Sequence, residues 1–278
     1  MQSVALGLLA IPLSPVLILL AALLALGITQ LLLRRQADGP SLRKLAGDAL
    51  LNSAFFGLLL ARLAYVAQHA QAYLANPWAL LDIRDGGWNA MVGWFAAAAV
   101  LLWIGRRQAN LRPTLAAAAL AAATFWLTAT GFIQAPRPDR PSEGLFQALD
   151  GGPAKSLVQA AQGKPMVLNL WASWCGPCRQ EMPLLAQVQV KHPELSFVFV
   201  NQGESASAVQ TYLASQRFAL NGVLLDPASA LGPALGSRGL PTTIFYDANG
   251  HLVDAHMGVL NAAALNIALR KIQNQGRR

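Results

Sequence analysis

Two hydrophobic patterns divide this chain. Over residues 1–133 the apolar positions run together in long blocks, whereas 140–278 alternates short apolar runs with amphipathic stretches. Four of the blocks are long enough to cross a hydrocarbon core of roughly 30 Å. They are about Val4–Leu33, Ala49–Val66, Val92–Ile104 extended by Gly87–Met91, and Thr114–Ile133. The first is too long, and too poor in basic residues at its start, for a cleavable signal peptide. Pro12 and Pro15 are tolerable in a span or mark a bend. The stretch QAPRPDRPSEG, residues 134–144, predicts an extended, stiff spacer. Beyond it, Met166–Ala172 predicts a buried strand and the next residues an amphipathic helix. A strand at Leu195–Asn201, a helix near Ala206–Gln216 and a strand at Val223–Asp226 follow. Two β runs, Thr242–Tyr246 and His251–Met257, flank the turn DANG, and a helix starts at Asn261. Strand–helix alternation before the hairpin implies parallel pairing. The expected organisation is a four-helix transmembrane domain (1–133), a linker (134–144) and an α/β domain with a mixed sheet (145–278).

Composition supports the division, since 54% of the 278 residues are hydrophobic and only 12% charged. The net charge of +8 could suggest nucleic acid as a partner. The basic residues instead cluster beside apolar blocks, where they set membrane orientation, so no nucleic-acid partner is expected. Arg34, Arg35, Arg43 and Lys44 lie between the first two spans, and Arg106, Arg107 and Arg112 between the last two. The middle loop offers Arg84, offset by Asp82 and Asp85. The basic loops therefore face the cytoplasm, and residues 134–278 lie on the outer side. Arg62, within the second span, is a functional candidate by default or else hydrogen-bonds within the bundle.

The chain has two cysteines, both in WCGPC at 174–178. A structural zinc site needs two further ligands. His69, His192, His251 and His256 lack ligand spacing, so neither a metal nor a cofactor is expected. A static disulfide closing so short a loop stabilises little. A redox couple fits better. Cys175 follows a strand and falls at a helix start, where free amides and the helix dipole lower a thiol's pKa. Cys178, one turn later, can resolve a mixed disulfide. Gly176 and Pro177 allow the tight approach, Trp174 suits a surface flanking the sulfur, and Pro183 should kink the helix.

WASWCGPCRQEMP resembles the active site of the thioredoxin superfamily, in particular its TlpA/ResA branch. The resemblance implies a thioredoxin-like fold and extracytoplasmic thiol–disulfide reduction, in some members for cytochrome c maturation. GLPTTIFYDANGHLV is similar to the branch's segment in which Pro241 is a cis-proline opposite the dithiol. Leu240 and Thr242 beside it would then hold the substrate chain. NQGESASAVQTYL resembles the segment whose glutamate lies by the dithiol, which implies that Glu204 takes the proton of Cys178. Asn169 stands where ordinary thioredoxins place a buried aspartate, and this departure strengthens the case for Glu204. The implied substrates are disulfide-bearing envelope proteins, and the implied location is the bacterial inner membrane with the redox domain in the periplasm.

The stretch from LLLRRQADGP to RDGGWNAMVGW, with ARLAYV and YLANPWALL inside it, resembles the front part of prolipoprotein diacylglyceryl transferase. Met91 or Val92 stands where that family carries a catalytic histidine, and ATFWLTATG replaces a later segment with an essential arginine. The resemblance therefore implies an anchor or lipid-contacting scaffold rather than a transferase. Residues 1–174 contain no cysteine, so electrons must come from a separate membrane donor with its own dithiol. The Gly-Pro dipeptide of thioredoxin favours reduction. An oxidase or isomerase direction, or a membrane module that directs the dithiol domain to one client, remain alternatives.

Overall fold

The computed structural model describes residues 3–6, 9–34, 39–75, 77–82, 85–133 and 137–275. It forms two compact units: Ser14–Ala70 with Gly86–Ala135, and Met1–Leu13 with Gln71–Asp85 and Pro136–Arg278.

The chain opens with strands β1 (Ser3–Leu6) and β2 (Leu9–Pro12), paired antiparallel, before α1 (Leu13–Leu33). The first long helix thus starts later than the apolar block does. Pro15 sits in its first turn, where the N–H lost to proline has no helical partner anyway. Then come α2 (Gly39–Gln68), the short α3 (Ala70–Leu74), a 3-10 turn at Pro77–Leu80, α4 (Ala90–Arg107) and α5 (Arg112–Ile133). Four of these helices are long and apolar enough to cross a membrane. Helix α2 begins about three turns before the expected span. Its early charges do not interrupt a helix, and Pro40 near its start is preorganised for the first turn.

Small residues let α2 and α4 approach. A Cβ added at Gly57 would lie 3.0 Å from the Gly93 carbonyl oxygen, and one at Gly93 would lie 3.0 Å from Ala61 Cβ. Such small-residue contacts are how helices associate where no hydrophobic effect drives them together. Arg62 is used inside this unit. Its Nη1 donates to the Gly87 carbonyl at 2.9 Å, and its guanidinium stands 5.9 Å from the Trp88 ring centre.

The second unit is built on a six-stranded sheet in the order β3-β6-β5-β4-β7-β8. Its elements are β3 (Gln147–Ala148), α6 (Leu157–Ala161), β4 (Met166–Trp171), α7 (Gly176–Lys191), β5 (Ser196–Gln202), α8 (Ala206–Ala214), β6 (Val223–Asp226), α9 (Leu231–Ala234), β7 (Thr242–Tyr246), β8 (Leu252–Met257) and α10 (Ala262–Gln275). β4, β5 and β6 are parallel, and β3, β7 and β8 run antiparallel to their neighbours. All six residues of β4 are buried, as a central strand covered on both faces requires. Its side chains alternate between two cores. Val167 and Trp171 join Cys175, Cys178, Met182, Leu185, Phe199 and Leu269 on one face. Met166, Leu168 and Leu170 join Leu157, Val200, Leu231 and Ile244 on the other.

The DANG turn closes β7 onto β8 as its residues dictate. Asp247 Oδ1 accepts from the amides of Asn249 and His251, and Gly250 takes φ +79. Part of the proline-rich stretch is attached to this hairpin: Leu252 N donates to the Asp139 carbonyl at 2.8 Å, and His251 Nδ1 lies 2.7 Å from Asp139 Oδ2. The edge strand's free backbone groups supply the reason. Residues 134–136 of the expected linker lie outside the described residues. Helix α7 continues through Pro183 from Gly176 to Lys191.

Candidate active site

The dithiol sits where β4 ends and α7 begins. Cys175 is the N-cap of α7, and its Sγ accepts from the Cys178 amide at 3.2 Å. Gly176 and Pro177 form the first turn, where Pro177 forfeits no helical hydrogen bond. Cys175 and Cys178 are joined as a disulfide, with Cα atoms 5.2 Å apart. The two sulfur-bearing residues differ in access. Cys178 is fully enclosed, Cys175 retains a small exposed edge, and Trp174 beside it is 69% exposed. An incoming chain therefore meets Trp174 and the rim of Cys175 first.

The Leu240–Pro241 peptide bond is cis. Thr242 pairs with Leu170 in the β4–β7 ladder, so the preceding Pro241 lies at the end of β4 from which the dithiol loop departs. Leu240 packs against the core that contains both cysteines. Thr242 has a different part from the substrate contact expected of it. Its side chain is completely buried, and its hydroxyl donates to the Gly239 carbonyl at 2.7 Å and meets Ser237 Oγ at 2.8 Å. It braces the loop before the cis bond from within.

Glu204 is held by the loop that precedes the dithiol. Its carboxylate accepts from the Ser173 amide at 2.7 Å, from the Ser173 hydroxyl, and from Asn201 Nδ2 at 2.6 Å. Those contacts tie down the loop two residues ahead of Cys175.

The buried carboxyl next to the enclosed cysteine is Glu181. It lies three residues after Cys178 on α7, hence on the same helix face, and only 1% of it is exposed. Oε1 accepts from Asn169 Nδ2 at 2.8 Å and Oε2 from the Leu260 amide at 2.8 Å. Burial pushes its pKa up to about 8, and these two hydrogen bonds offset only part of that rise. Asn169 Nδ2 also donates to Thr243 Oγ1 at 2.9 Å, whereas Asn169 Oδ1 has no partner among the described residues. The arrangement thus holds one sulfur at a helix N-terminus, the other in the core, and a carboxyl able to titrate near neutrality. No group of three or more His, Cys, Asp or Glu able to hold a metal occurs among the described residues.

Comparison with known proteins gives this geometry its family. Residues 138–269 match the Redoxin family model. The thiol:disulfide interchange protein DsbE of Escherichia coli (strain K12) is 31% identical over 172 residues, spanning 88% of that protein and 56% of this chain. The chain belongs to the DsbE family of thiol:disulfide interchange proteins. The relatives that carry this name are thiol:disulfide interchange proteins, and the Redoxin match spans both cysteines of this chain. Thioredoxin-like protein YneN of Bacillus subtilis (strain 168) is 33% identical over 108 residues, covering 38% of this chain and 64% of YneN. The oxidoreductase ResA of Halalkalibacterium halodurans is 32% identical over 104 residues, covering 36% of this chain and 58% of ResA. The chain thus spans somewhat under two thirds of the length of those two relatives. A solved thiol:disulfide interchange protein of the thioredoxin family from Chlorobium tepidum TLS overlaps 51% of this chain and 97% of its own, at 26% identity and a TM-score of 0.41. In the helical half, residues 3–132 match the prolipoprotein diacylglyceryl transferase family model.

The sequence places Asn169 where a buried aspartate is usual and points to Glu204 as the proton acceptor, but Glu181 is not singled out in it. The missed signal lay in α7 itself. Glu181 shares a stripe with Cys178, Met182 and Leu185, all core residues, and a lone acid in such a stripe must be protonated or strongly hydrogen-bonded.

Proposed function

We propose that this oxidoreductase is a membrane-anchored reductase of protein disulfides, with its dithiol domain on the extracytoplasmic side of a bacterial inner membrane. The four apolar helices and the basic loops between them support the anchoring and the orientation. The observation that carries the chemistry is the unequal burial of the two cysteines over Glu181.

In the reduced enzyme the Cys175 thiolate attacks one sulfur of the substrate disulfide. A mixed disulfide forms, and the other substrate sulfur leaves as a thiolate. Cys178 then loses its proton and attacks Cys175 Sγ. The substrate's second thiol is released, and the Cys175–Cys178 disulfide holds the oxidised state. Two electrons have passed to the substrate, and a separate membrane donor with its own dithiol returns them. Glu181, whose pKa of about 8 leaves a fraction ionised near neutral pH, receives the proton of Cys178 in that ionised form. Asn169 suits both states of that carboxyl: its Nδ2 donates to the ionised form, and a half-turn of the amide presents Oδ1 to the protonated one. Trp174 and the Leu240–Pro241 segment border the substrate chain, and Glu204 fixes the Ser173 loop that aims Cys175.

A redox titration of the dithiol tests the direction. A reductase should have a potential near the thioredoxin value of about −270 mV, and a value near about −120 mV, typical of strong oxidants, would refute it.

A further inference from the structure

One surface outside the dithiol site is unlike a loop made for water. Between α2 and α4 the chain forms α3 and the 3-10 turn Pro77–Leu80. One side of this segment is closed: Ala72, Tyr73, Ala79 and Asp85 are buried, and Tyr73 Oη donates to Asp85 Oδ2 at 2.6 Å. The other side presents Leu74, Trp78 and Leu81, which are 77%, 81% and 77% exposed. Single exposed apolar residues are ordinary. With Leu80, itself exposed, there are four large ones within eight positions, and with the acids of the segment engaged elsewhere they form a patch that water does not favour. Asp85 is held by Tyr73, and Asp82 Oδ2 lies 3.4 Å from Asn261 Nδ2 on the redox domain.

We propose that Leu74, Trp78 and Leu81 seat this segment in the headgroup–acyl boundary of the outer lipid leaflet. The proposal rests on the membrane reading above, in which α2 and α4 are spans. Given that reading, the lipid surface is the occupant that chain continuity favours. Helix α2 ends at Gln68 and α4 begins at Ala90, so both ends of the segment emerge from the bilayer on one side. Leu63 near the end of α2 and Met91 at the start of α4 are themselves large, apolar and exposed. Tryptophan is also the side chain that favours the membrane–water boundary, where its ring is apolar and its N–H stays wet.

The consequence reaches the redox domain. Arg270 Nη1 on α10 donates to Gln71 Oε1 at 2.7 Å, and Asn261 at the start of α10 meets Asp82. A segment seated in lipid thereby holds the dithiol domain at the membrane surface, within reach of a membrane-bound donor.

Fluorophore depth measurements on the full chain test this directly. Single cysteines (Leu74→Cys, Trp78→Cys, Leu81→Cys) are placed in a Cys175→Ser/Cys178→Ser background, which otherwise has no thiol. The same labelling of oxidised protein, whose disulfide ignores maleimides, guards against loss of structure in that background. Each labelled protein is reconstituted into phosphatidylcholine–phosphatidylglycerol vesicles and quenched by headgroup nitroxide lipid, acyl-chain nitroxide lipid or aqueous iodide. Val190→Cys on α7 reports a water-exposed site, and Phe95→Cys on α4 reports a span. The three segment positions should be quenched several-fold more by headgroup nitroxide than position 190, and be shielded from iodide. Iodide quenching equal to that at position 190 would overturn the proposal. So would shielding from all three quenchers, which would mean a protein partner covers the patch. Failure of acyl-chain nitroxide to quench position 95 would instead overturn the membrane reading itself.

Discussion

Replacing Glu181 with glutamine keeps the side chain's shape and one acceptor oxygen but removes its titration. Burial raises the carboxyl from 4.5 to about 8, so the folded protein keeps a proton that the unfolded chain has released over that interval. The associated stability is fully present below the unfolded value and is lost as pH rises through about 8. At about 1.36 kcal/mol per pKa unit, the loss between pH 5 and pH 8 is on the order of 3 to 4 kcal/mol. Glu181→Gln has no such loss, so its stability relative to the wild type should climb by that amount over the same range. His256, whose burial lowers its pKa to about 4, adds an acid-side slope of its own. That slope is common to both proteins and cancels in the difference. The assay is urea unfolding of oxidised protein comprising residues 137–278, whose two cores lie wholly within that stretch. Parallel wild-type and variant curves from pH 5 to pH 8 would refute the assignment of Glu181 as a buried, protonated carboxyl.

Three further outcomes are expected. Glu204→Ala leaves the Ser173 amide and the buried Asn201 Nδ2 without their acceptor, a loss of about 1–3 kcal/mol for an unmet buried donor. Urea unfolding should show it, and mixed-disulfide formation at Cys175 should slow in stopped-flow measurements; an unchanged rate would reduce Glu204 to a purely structural role. Gly222→Ala should cost about 2 kcal/mol or more, since the position has φ +74 and a Cβ there would lie 2.5 Å from the Phe197 carbonyl oxygen. Gly57→Leu should separate α2 from α4 and lower the thermal aggregation temperature of the full chain in detergent, because its Cβ alone would already press on Gly93 and Ala97.

The parts of this protein that were legible in its sequence are those governed by local rules. Apolar length announced the four long helices, and the all-apolar MVLNLWA announced the central strand. The DANG turn gave the hairpin, and a cysteine pair at a strand-to-helix junction gave the redox chemistry. Boundaries were harder, as α2 shows. Charged residues do not end a helix, so apolar length marks the apolar stretch of the element rather than its ends. The side-chain network behind the dithiol was the least legible. Asn169 and Glu181 are twelve positions apart, and their 2.8 Å contact exists because α7 folds back across β4. Thr242 illustrates the same point in reverse. Its place beside Pro241 suggested a substrate contact, but strand alternation turns its hydroxyl inward to Ser237 and Gly239.

Trapping of mixed disulfides tests the central claim most directly. Full-length Cys178→Ala protein is expressed in bacterial cells, alkylated at once, and its disulfide-linked partners are identified by mass spectrometry. Attack by Cys175 with resolution by Cys178 predicts adducts joined through Cys175 to exported, disulfide-bearing proteins, and their absence in Cys175→Ala. Adducts that persist at Cys178 in Cys175→Ala, or partners drawn only from the cytoplasm, would contradict the account.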